Sequence, residues 1–455
     1  MSRRVSFMLL AALLAAGCGR PPASPPAPVV VTEPPYAADS GSLLVRCGAL
    51  IDGLSDAART GEDVLIEGGR ITAVGPQLEA PVGVPVLDLP EHTCLPGLID
   101  MHTHIVEQQQ DTHDLFVYLE RGEAETLEYG RPLAAKTLLA GFTTARNVGV
   151  YYGWTSRTLR DEIAAGRTIG PRMEVAGFYL TVPGGGGDLL LPGLTEADIP
   201  AHLRLGVARG PDAFRAKAEA AVAGGADVIK LIASGAVLAY GGVPGAPEMT
   251  PEEIAAAVEV AHAAGIPVTA HAHGAQSIRD AILAGVDTIE HASLFDDEGI
   301  RLAKEHGVAL SMDIWNGDWI ATEGRRMNWP EEFIRKNDET TLVQRQNFRR
   351  AHEAGVTIVF GSDSGVYPHG MNARQFAYMV EWGMTPMEAI RAATSVAAHY
   401  LKDGDDLGAL AAGRHGDLVA VSGDPLADIG VLEKIDTVVK GGLLFRADTL
   451  GETTP

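Results

Sequence analysis

The stretch His102-Thr103-His104 closes the short apolar segment Leu98-Ile99-Asp100-Met101. If that segment is a strand, its period of two sends both imidazoles to one side. Two neutral imidazoles converging on one point suit a divalent metal ion, although a pair of hydrogen-bonded structural histidines would look the same. Three further apolar segments end in a comparable way: Thr269-Ala270-His271-Ala272-His273, Ile289-Glu290-His291 and Phe360-Gly361-Ser362-Asp363. Four segments ending in ligand-type residues are hard to obtain by chance.

Lys230 adds a different kind of chemistry. It lies inside Asp227-Val228-Ile229-Lys230-Leu231-Ile232-Ala233, where an unpaired ammonium is costly. Burial lowers a lysine's pKa, and a neutral amine can add carbon dioxide to give an anionic carbamate with two oxygens. Such a carbamate can bridge two divalent ions. The plainer alternative is an ion pair with an acid such as Asp363.

Residues so far apart in the chain need a framework that repeats. One texture recurs: an Ala-rich amphipathic helix, a glycine, then a short apolar strand. It appears at Leu139-Ala140-Gly141-Phe142, Ala223-Gly224-Gly225-Ala226, Ala264-Gly265-Ile266, Ala284-Gly285-Val286, His306-Gly307-Val308 and Ala354-Gly355-Val356. The glycine supplies a left-handed cap, and the strand then enters a sheet buried on both faces. With Leu98-Met101 and Met173-Gly177 the count reaches eight. This predicts an α/β fold, a (β/α)8 TIM barrel over 98–403, whose chemistry belongs at the C-terminal ends of the strands. An open doubly wound sheet would usually show a Gly-rich phosphate loop after its first strand, and none is present.

Both flanks read as β structure. Leu43-Cys47, Asp63-Glu67, Arg70-Val74 and Val84-Leu89 precede the barrel, with Gly68-Gly69 as a two-residue hairpin turn. Asp417-Val421, Thr437-Lys440 and Leu443-Phe445 follow it. Neither group fills a core alone, so 43–97 and 404–446 are expected to form one composite β-sandwich, with 447–455 as a tail. Its Cys47 and Cys94 could pair or remain buried thiols.

The first 17 residues combine Arg3 and Arg4 with an apolar run too short to span a bilayer, which reads as a secretory signal. Small residues directly before Cys18 resemble a bacterial lipobox. That resemblance implies a lipid-modified Cys18, a cell-envelope location on the periplasmic face of the outer membrane, or else simple secretion. Residues 18–42, rich in Pro, Ala and Ser, then read as a tether.

The 455-residue chain is 46% hydrophobic and 21% charged, with a formal net charge of −23. This composition excludes a wholly disordered or fibrous protein. It also argues against nucleic-acid partners and against any membrane contact beyond the lipid anchor, since both rest on clustered Lys and Arg. A small-molecule substrate is what remains; oligomeric state, including a homo-oligomer, stays open.

His102, His104, Lys230, His271, His291 and Asp363, in this strand order and followed by a returning β segment, resemble the binuclear metal-dependent hydrolases of the amidohydrolase superfamily. Lys230-Leu231-Ile232-Ala233-Ser234-Gly235, Ala270-His271-Ala272-His273-Gly274 and Gly361-Ser362-Asp363-Ser364-Gly365 are similar to its dipeptidase and carboxypeptidase branch, which includes prolidase-like enzymes and ochratoxin amidases. The resemblance implies two divalent ions, zinc being expected: one on His102, His104 and Asp363, the other on His271 and His291, bridged by carboxylated Lys230. It implies cleavage of the amide bond of a dipeptide or N-acyl amino acid by a hydroxide shared between the ions. Asp363 would carry the proton to the leaving amine, and His273 would act on the substrate side. The runner-up is hydrolysis of a cyclic amide, or deamination of a ring, by the same centre. A non-catalytic binding protein would have no need of the buried lysine.

Substrate contacts are less marked. A free α-carboxylate could meet Tyr240, His369 or Arg374. Trp315-Asn316-Gly317-Asp318-Trp319 would either wall an apolar pocket or pack its own loop. Where related sequences carry a histidine in a Gly-Gly-His-Gly-Asp stretch, this chain reads Gly184-Gly185-Gly186-Gly187-Asp188. Side-chain preference therefore does not transfer.

Overall fold

The computed structural model describes residues 25–108 and 114–448. The segment 1–17 read as a secretory signal, Cys18 and residues 449–455 of the expected tail lie outside them. Four strands come first: β1 (Leu43–Leu50), β2 (Arg59–Glu67), β3 (Arg70–Gly75) and β4 (Val86–Pro96). Eight follow: β5 (Leu98–Thr103), β6 (Phe142–Asn147), β7 (Arg172–Val175), β8 (Ile229–Ile232), β9 (Val268–Gly274), β10 (Thr288–Leu294), β11 (Ala309–Ser311) and β12 (Ile358–Val359). Three complete the described set: β13 (Leu418–Ser422), β14 (Thr437–Lys440) and β15 (Leu443–Ala447).

The outer seven strands form one sheet in the order β15-β14-β13-β4-β1-β2-β3. Both ends of the chain meet where β13 runs antiparallel to β4, with Leu418 opposite Pro96. Gly68 (φ +55°) and Gly69 (φ +81°) turn β2 into β3, a left-handed pair that only glycine adopts without strain. Apolar residues from all seven strands share one cluster, among them Val45, Val64, Ile71, Leu89, Leu418, Val439 and Leu444. The cysteine question is settled within this sheet: Cys47 and Cys94 are disulfide-bonded, with Cα atoms 5.9 Å apart.

The eight inner strands pair in parallel, β5-β6-β7 in one sheet and β8-β9-β10-β11-β12 in another. Backbone bonds cross both seams. Leu180, just after β7, donates to the Lys230 carbonyl and accepts from Ile232 (both 2.9 Å), and His104 N–H donates to the Ser364 carbonyl (2.8 Å). Helices lie between the strands and bury one face each. The helix Pro251–Ala263, started by a Thr250/Glu253 capping box, buries Ile254, Ala257, Val258 and Ala261 at the spacing expected of an amphipathic helix.

The expected tether is shorter than its composition suggests. From Val30 onward the chain is docked: Val31 N–H donates to the Leu444 carbonyl (2.7 Å), Tyr36 meets Phe445 edge-on, and Asp39 holds Arg172 through two contacts of 2.6 and 2.9 Å. Among the described residues no helix is long and apolar enough to cross a membrane.

Candidate metal centre

The strand ends gather the expected ligand residues into one buried cluster. The Nε2 atoms of His102 and His104 lie 3.3 and 3.4 Å from the same Asp363 oxygen, so three donors from the ends of β5 and β12 face one point. His271, His273 and His291 form a second group, with ring centroids 4.5 to 4.7 Å apart. His273 thus sits among the ligand-type donors rather than off to one side. Lys230 is 2% exposed and lines the same cavity.

Most of the histidines are tied through Nδ1. His102 Nδ1 lies 2.8 Å from Glu290, His104 Nδ1 2.8 Å from the Gly149 carbonyl, His291 Nδ1 2.9 Å from Asp313, and His273 Nδ1 2.8 Å from the Ser293 hydroxyl. At His102, His104 and His291 the partner is a carboxylate or carbonyl oxygen, which can only accept, and an acceptor at Nδ1 fixes the tautomer and leaves Nε2 with a lone pair, the state a metal needs. His271 differs, its Nε2 lying 3.4 Å from the Gly235 carbonyl.

Charge reinforces this arrangement. Burial, only partly opposed by Asp363 and Glu290, lowers His102 to about 4, and burial with neighbouring cationic groups holds His271 and His273 well below the ordinary imidazole value. At His291 burial is outweighed by Asp313, and the pKa rises; a cation at Nε2 would take the place of that proton. Asp363 is held far below the usual carboxylate range, because His102 and His104 outweigh its burial. Burial brings Lys230 down to about 8, so a useful fraction is neutral amine near pH 7. Neutral imidazoles, an ionised carboxylate and a readily deprotonated lysine are a donor set that fits divalent metal ions.

The structure supplies residues that the sequence reading left without a role. Glu290 is fully buried, bonded by Arg146 (2.6 Å), and lies against His102, so β10 gives the centre an acid as well as a histidine. Asp313 follows β11 and is held by Gln344 (2.9 Å) and Asn316 (2.5 Å); Asn316 also donates to Asp363 (3.1 Å). Glu107 accepts the Tyr151 N–H (2.7 Å) in the cavity wall. The signal for Asp313 was present, since Ser311-Met312-Asp313 is another apolar segment ending in a ligand-type residue. Glu290 was hidden because strict alternation turns it away from His291. Here His291 and Ala292 adopt φ of +68° and +47°, and Asp363 +56°, which re-aims the side chains at the cost of backbone strain.

The three carboxylate-binding candidates are not brought together. Tyr240 packs on Phe333. His369 is buried against Thr137 and the Glu107 carbonyl, both 3.3 Å away. Arg374 is exposed, 3.6 Å from Glu433. None of them lines the cavity. Trp315 and Trp319 pack beside Tyr367, so of the two readings loop packing holds, and it is Asn316 between them that faces the centre. Gly186 and Gly187 form part of the wall. A β-carbon on Gly186 would stand 2.9 Å from that of Ala236, so the wall closes where a side chain would otherwise project.

Residues 93–444 match the amidohydrolase family, and the chain belongs to it. It is a hydrolase acting on amide bonds, in a family that is typically metal-dependent. It is 30% identical over 390 residues to ochratoxinase of Aspergillus niger, covering 78% of this chain and 76% of that protein. Among solved structures it is similar to a Xaa-Pro dipeptidase with methionine bound in its active site (36% identity, TM-score 0.83, 90% of this chain and 100% of the other). It is also similar to a prolidase complexed with N-methylphosphonate-L-proline (28%, TM-score 0.83, 89% and 100%).

Proposed function

We propose that this chain hydrolyses the amide bond that joins an acyl or aminoacyl group to a C-terminal amino acid, as a dipeptidase or N-acyl-amino-acid hydrolase. The observation that carries the reading is the convergence of His102, His104 and Asp363 on one point beside the His271, His273 and His291 group. His102, His104 and Asp363 would hold one divalent ion, His271 and His291 the other, and Lys230 as its carbamate would join them. When bound, the two ions, zinc being the expected metal, would supply an ionised water and a polarised carbonyl.

The remaining work falls to the chain itself. Asp363 accepts the proton of the attacking water and passes it to the nitrogen of the departing amine, which leaves poorly unless protonated. Asn316 donates to one Asp363 oxygen and the other faces His102 and His104, which fixes the carboxylate at the centre. His273 steadies the substrate oxygen from the inner face of β9. Glu290 and Asp313 keep His102 and His291 in the ligating tautomer.

In this reading the eight parallel strands close through their two bonded seams into a (β/α)8 barrel, and the seven-stranded sheet folds over its shared apolar face as the composite sandwich. The mature chain is anchored in the bacterial envelope through lipid on Cys18; Cys18→Ser should release it from the membrane fraction, and unchanged association would remove that part.

The neighbours named as ochratoxinase and Xaa-Pro dipeptidase support an amide with a C-terminal amino acid. The test is a mixed library of dipeptides and N-acyl amino acids incubated with metal-quantified protein and read by mass spectrometry, together with matched C-terminal amides. Free acids should be cleaved in preference. Equal cleavage of acid and amide would remove the carboxypeptidase reading and promote the cyclic-amide alternative.

A further inference from the structure

The parallel strands have a second end. Beside the first residues of β7 and the turns leading into β8 and β9, a cleft of about 530 Å³ opens, bounded also by the helix Thr155–Ala164 and the segment 402–407. Most of its charges answer one another: Arg160 and Lys402 both reach Asp227 (2.5 and 3.3 Å), and Arg172 pairs with Asp39 (2.6 Å).

Two do not. Glu174, 7% exposed, accepts only the backbone N–H groups of Lys402 (3.1 Å) and Asp403 (3.0 Å), and no cation among the described residues lies within ion-pair distance. Lys440, 3% exposed, donates to the Gly170 carbonyl (2.6 Å) and has no carboxylate within ion-pair distance among them. Thr144, 1% exposed, also lines the cleft, and its hydroxyl lacks a hydrogen-bond partner. Charges buried without an ion pair are costly, although Asp39 and Asp417 act on Lys440 from beyond ion-pair distance. Burial, with Asp227 nearby, lifts Glu174 to about 7, and burial with Arg172 lowers Lys440 to about 8. Between these polar groups the wall is apolar, with Ile163, Met173, Val222 and Ile266.

One buried acid, one buried base, a free hydroxyl and an apolar wall in a single cleft match one class of molecule. We infer that this cleft binds a free α-amino acid with an apolar side chain, its ammonium on Glu174 and its carboxylate on Lys440 and Thr144. The site is separate from the histidine cluster and does not depend on the amide chemistry proposed there.

The experiment is isothermal titration of the full, metal-loaded chain with L-leucine, with isoamylamine (no carboxylate) and with 4-methylpentanoate (no ammonium). Loss of one charge-assisted pair weakens binding roughly tenfold or more. Leucine binding should therefore weaken at least about tenfold in Glu174→Gln and Lys440→Met, and less in Thr144→Val, while the rate at the histidine cluster stays unchanged. Both single-charge analogues should bind more weakly than leucine. Should Lys440→Met fail to fold, Glu174→Gln and Thr144→Val decide the matter, with thermal melting to confirm their folding. The inference is overturned if folded Glu174→Gln binds leucine like the native chain, if either analogue binds as tightly as leucine, or if leucine binding disappears only in His271→Ala. Absence of amide hydrolysis would leave this titration readable.

Discussion

The two ends of the eight parallel strands are built from similar residues to opposite effect. At the C-terminal ends, His102, His104, His273 and His291 are each held through one nitrogen by a carboxylate, carbonyl or hydroxyl, and turn the other nitrogen inward. At the N-terminal ends, Arg160, Arg172, Asp39 and Asp227 mainly satisfy each other. Polar groups secured from behind and left open in front make a reactive centre, whereas polar groups that close on one another make a support. Backbone conformation differs in the same sense. Positive φ at the N-terminal side falls on glycines such as Gly141, Gly265 and Gly285, ahead of β6, β9 and β10; at the C-terminal side it falls on Gly149, Gly177 and Gly365 but also on His291, Ala292 and Asp363, where each such non-glycine residue stores on the order of 1–3 kcal/mol of strain.

The largest break in this contrast should come from Lys230→Ala. If its carbamate joins the two ligand groups, metal content and activity should fall together, activity by roughly three orders of magnitude, with partial rescue by short carboxylic acids. Two ions per chain with near-native turnover would show that Lys230 is merely a buried lysine. Next comes Asp363→Asn, for which turnover should drop about 10²- to 10⁴-fold even in protein that keeps metal, since an amide cannot carry the proton. A rate that simply follows metal occupancy would leave Asp363 as a ligand alone.

A smaller effect is expected one layer out. Asp313→Asn should weaken metal affinity or activity by about 10- to 100-fold, because His291 exchanges a charged acceptor for a neutral, weaker one; native behaviour would mean that a neutral acceptor suffices. The smallest concerns stability at the opposite end. Glu174 is raised in the folded state to about 7 from an ordinary glutamate value near 4.5, so the fold carries no penalty for it below that lower value. The penalty grows as pH rises through the window between the two and is complete above 7. Glu174→Gln should therefore gain stability relative to the native chain on going from pH 4.5 to 8, by up to about 3 kcal/mol, read from denaturant unfolding at each pH. A difference independent of pH would place the buried charge elsewhere.

The order of elements was legible because its signals are local: an Ala-rich helix face, a capping glycine and a short apolar run announce each parallel strand. The clustering of His102, His104, Lys230, His271, His291 and Asp363 was legible because they stand in or at the ends of those runs. Glu290 and the re-aiming of His291 were not, since they depend on a positive φ that no residue type there advertises. The placement of Tyr240, His369 and Arg374 outside the cavity lining was not legible for a related reason: a polar residue in a loop near the site has many nearer partners, and only packing decides which it takes. Arg146 was overlooked because a basic residue in Thr143-Thr144-Ala145-Arg146-Asn147 gives no hint that its partner lies on β10, 144 residues away.

The central claim is that the histidine cluster works by holding divalent ions for amide hydrolysis. It is tested most directly by stripping the purified chain with a chelator, adding back zinc and other divalent ions in measured steps, and following ions bound per chain against cleavage of a dipeptide substrate. The account predicts loss of cleavage on stripping and recovery that completes at two ions per chain, with neither binding nor recovery in His102→Ala. Full cleavage by the stripped chain, or by His102→Ala without bound metal, would contradict it.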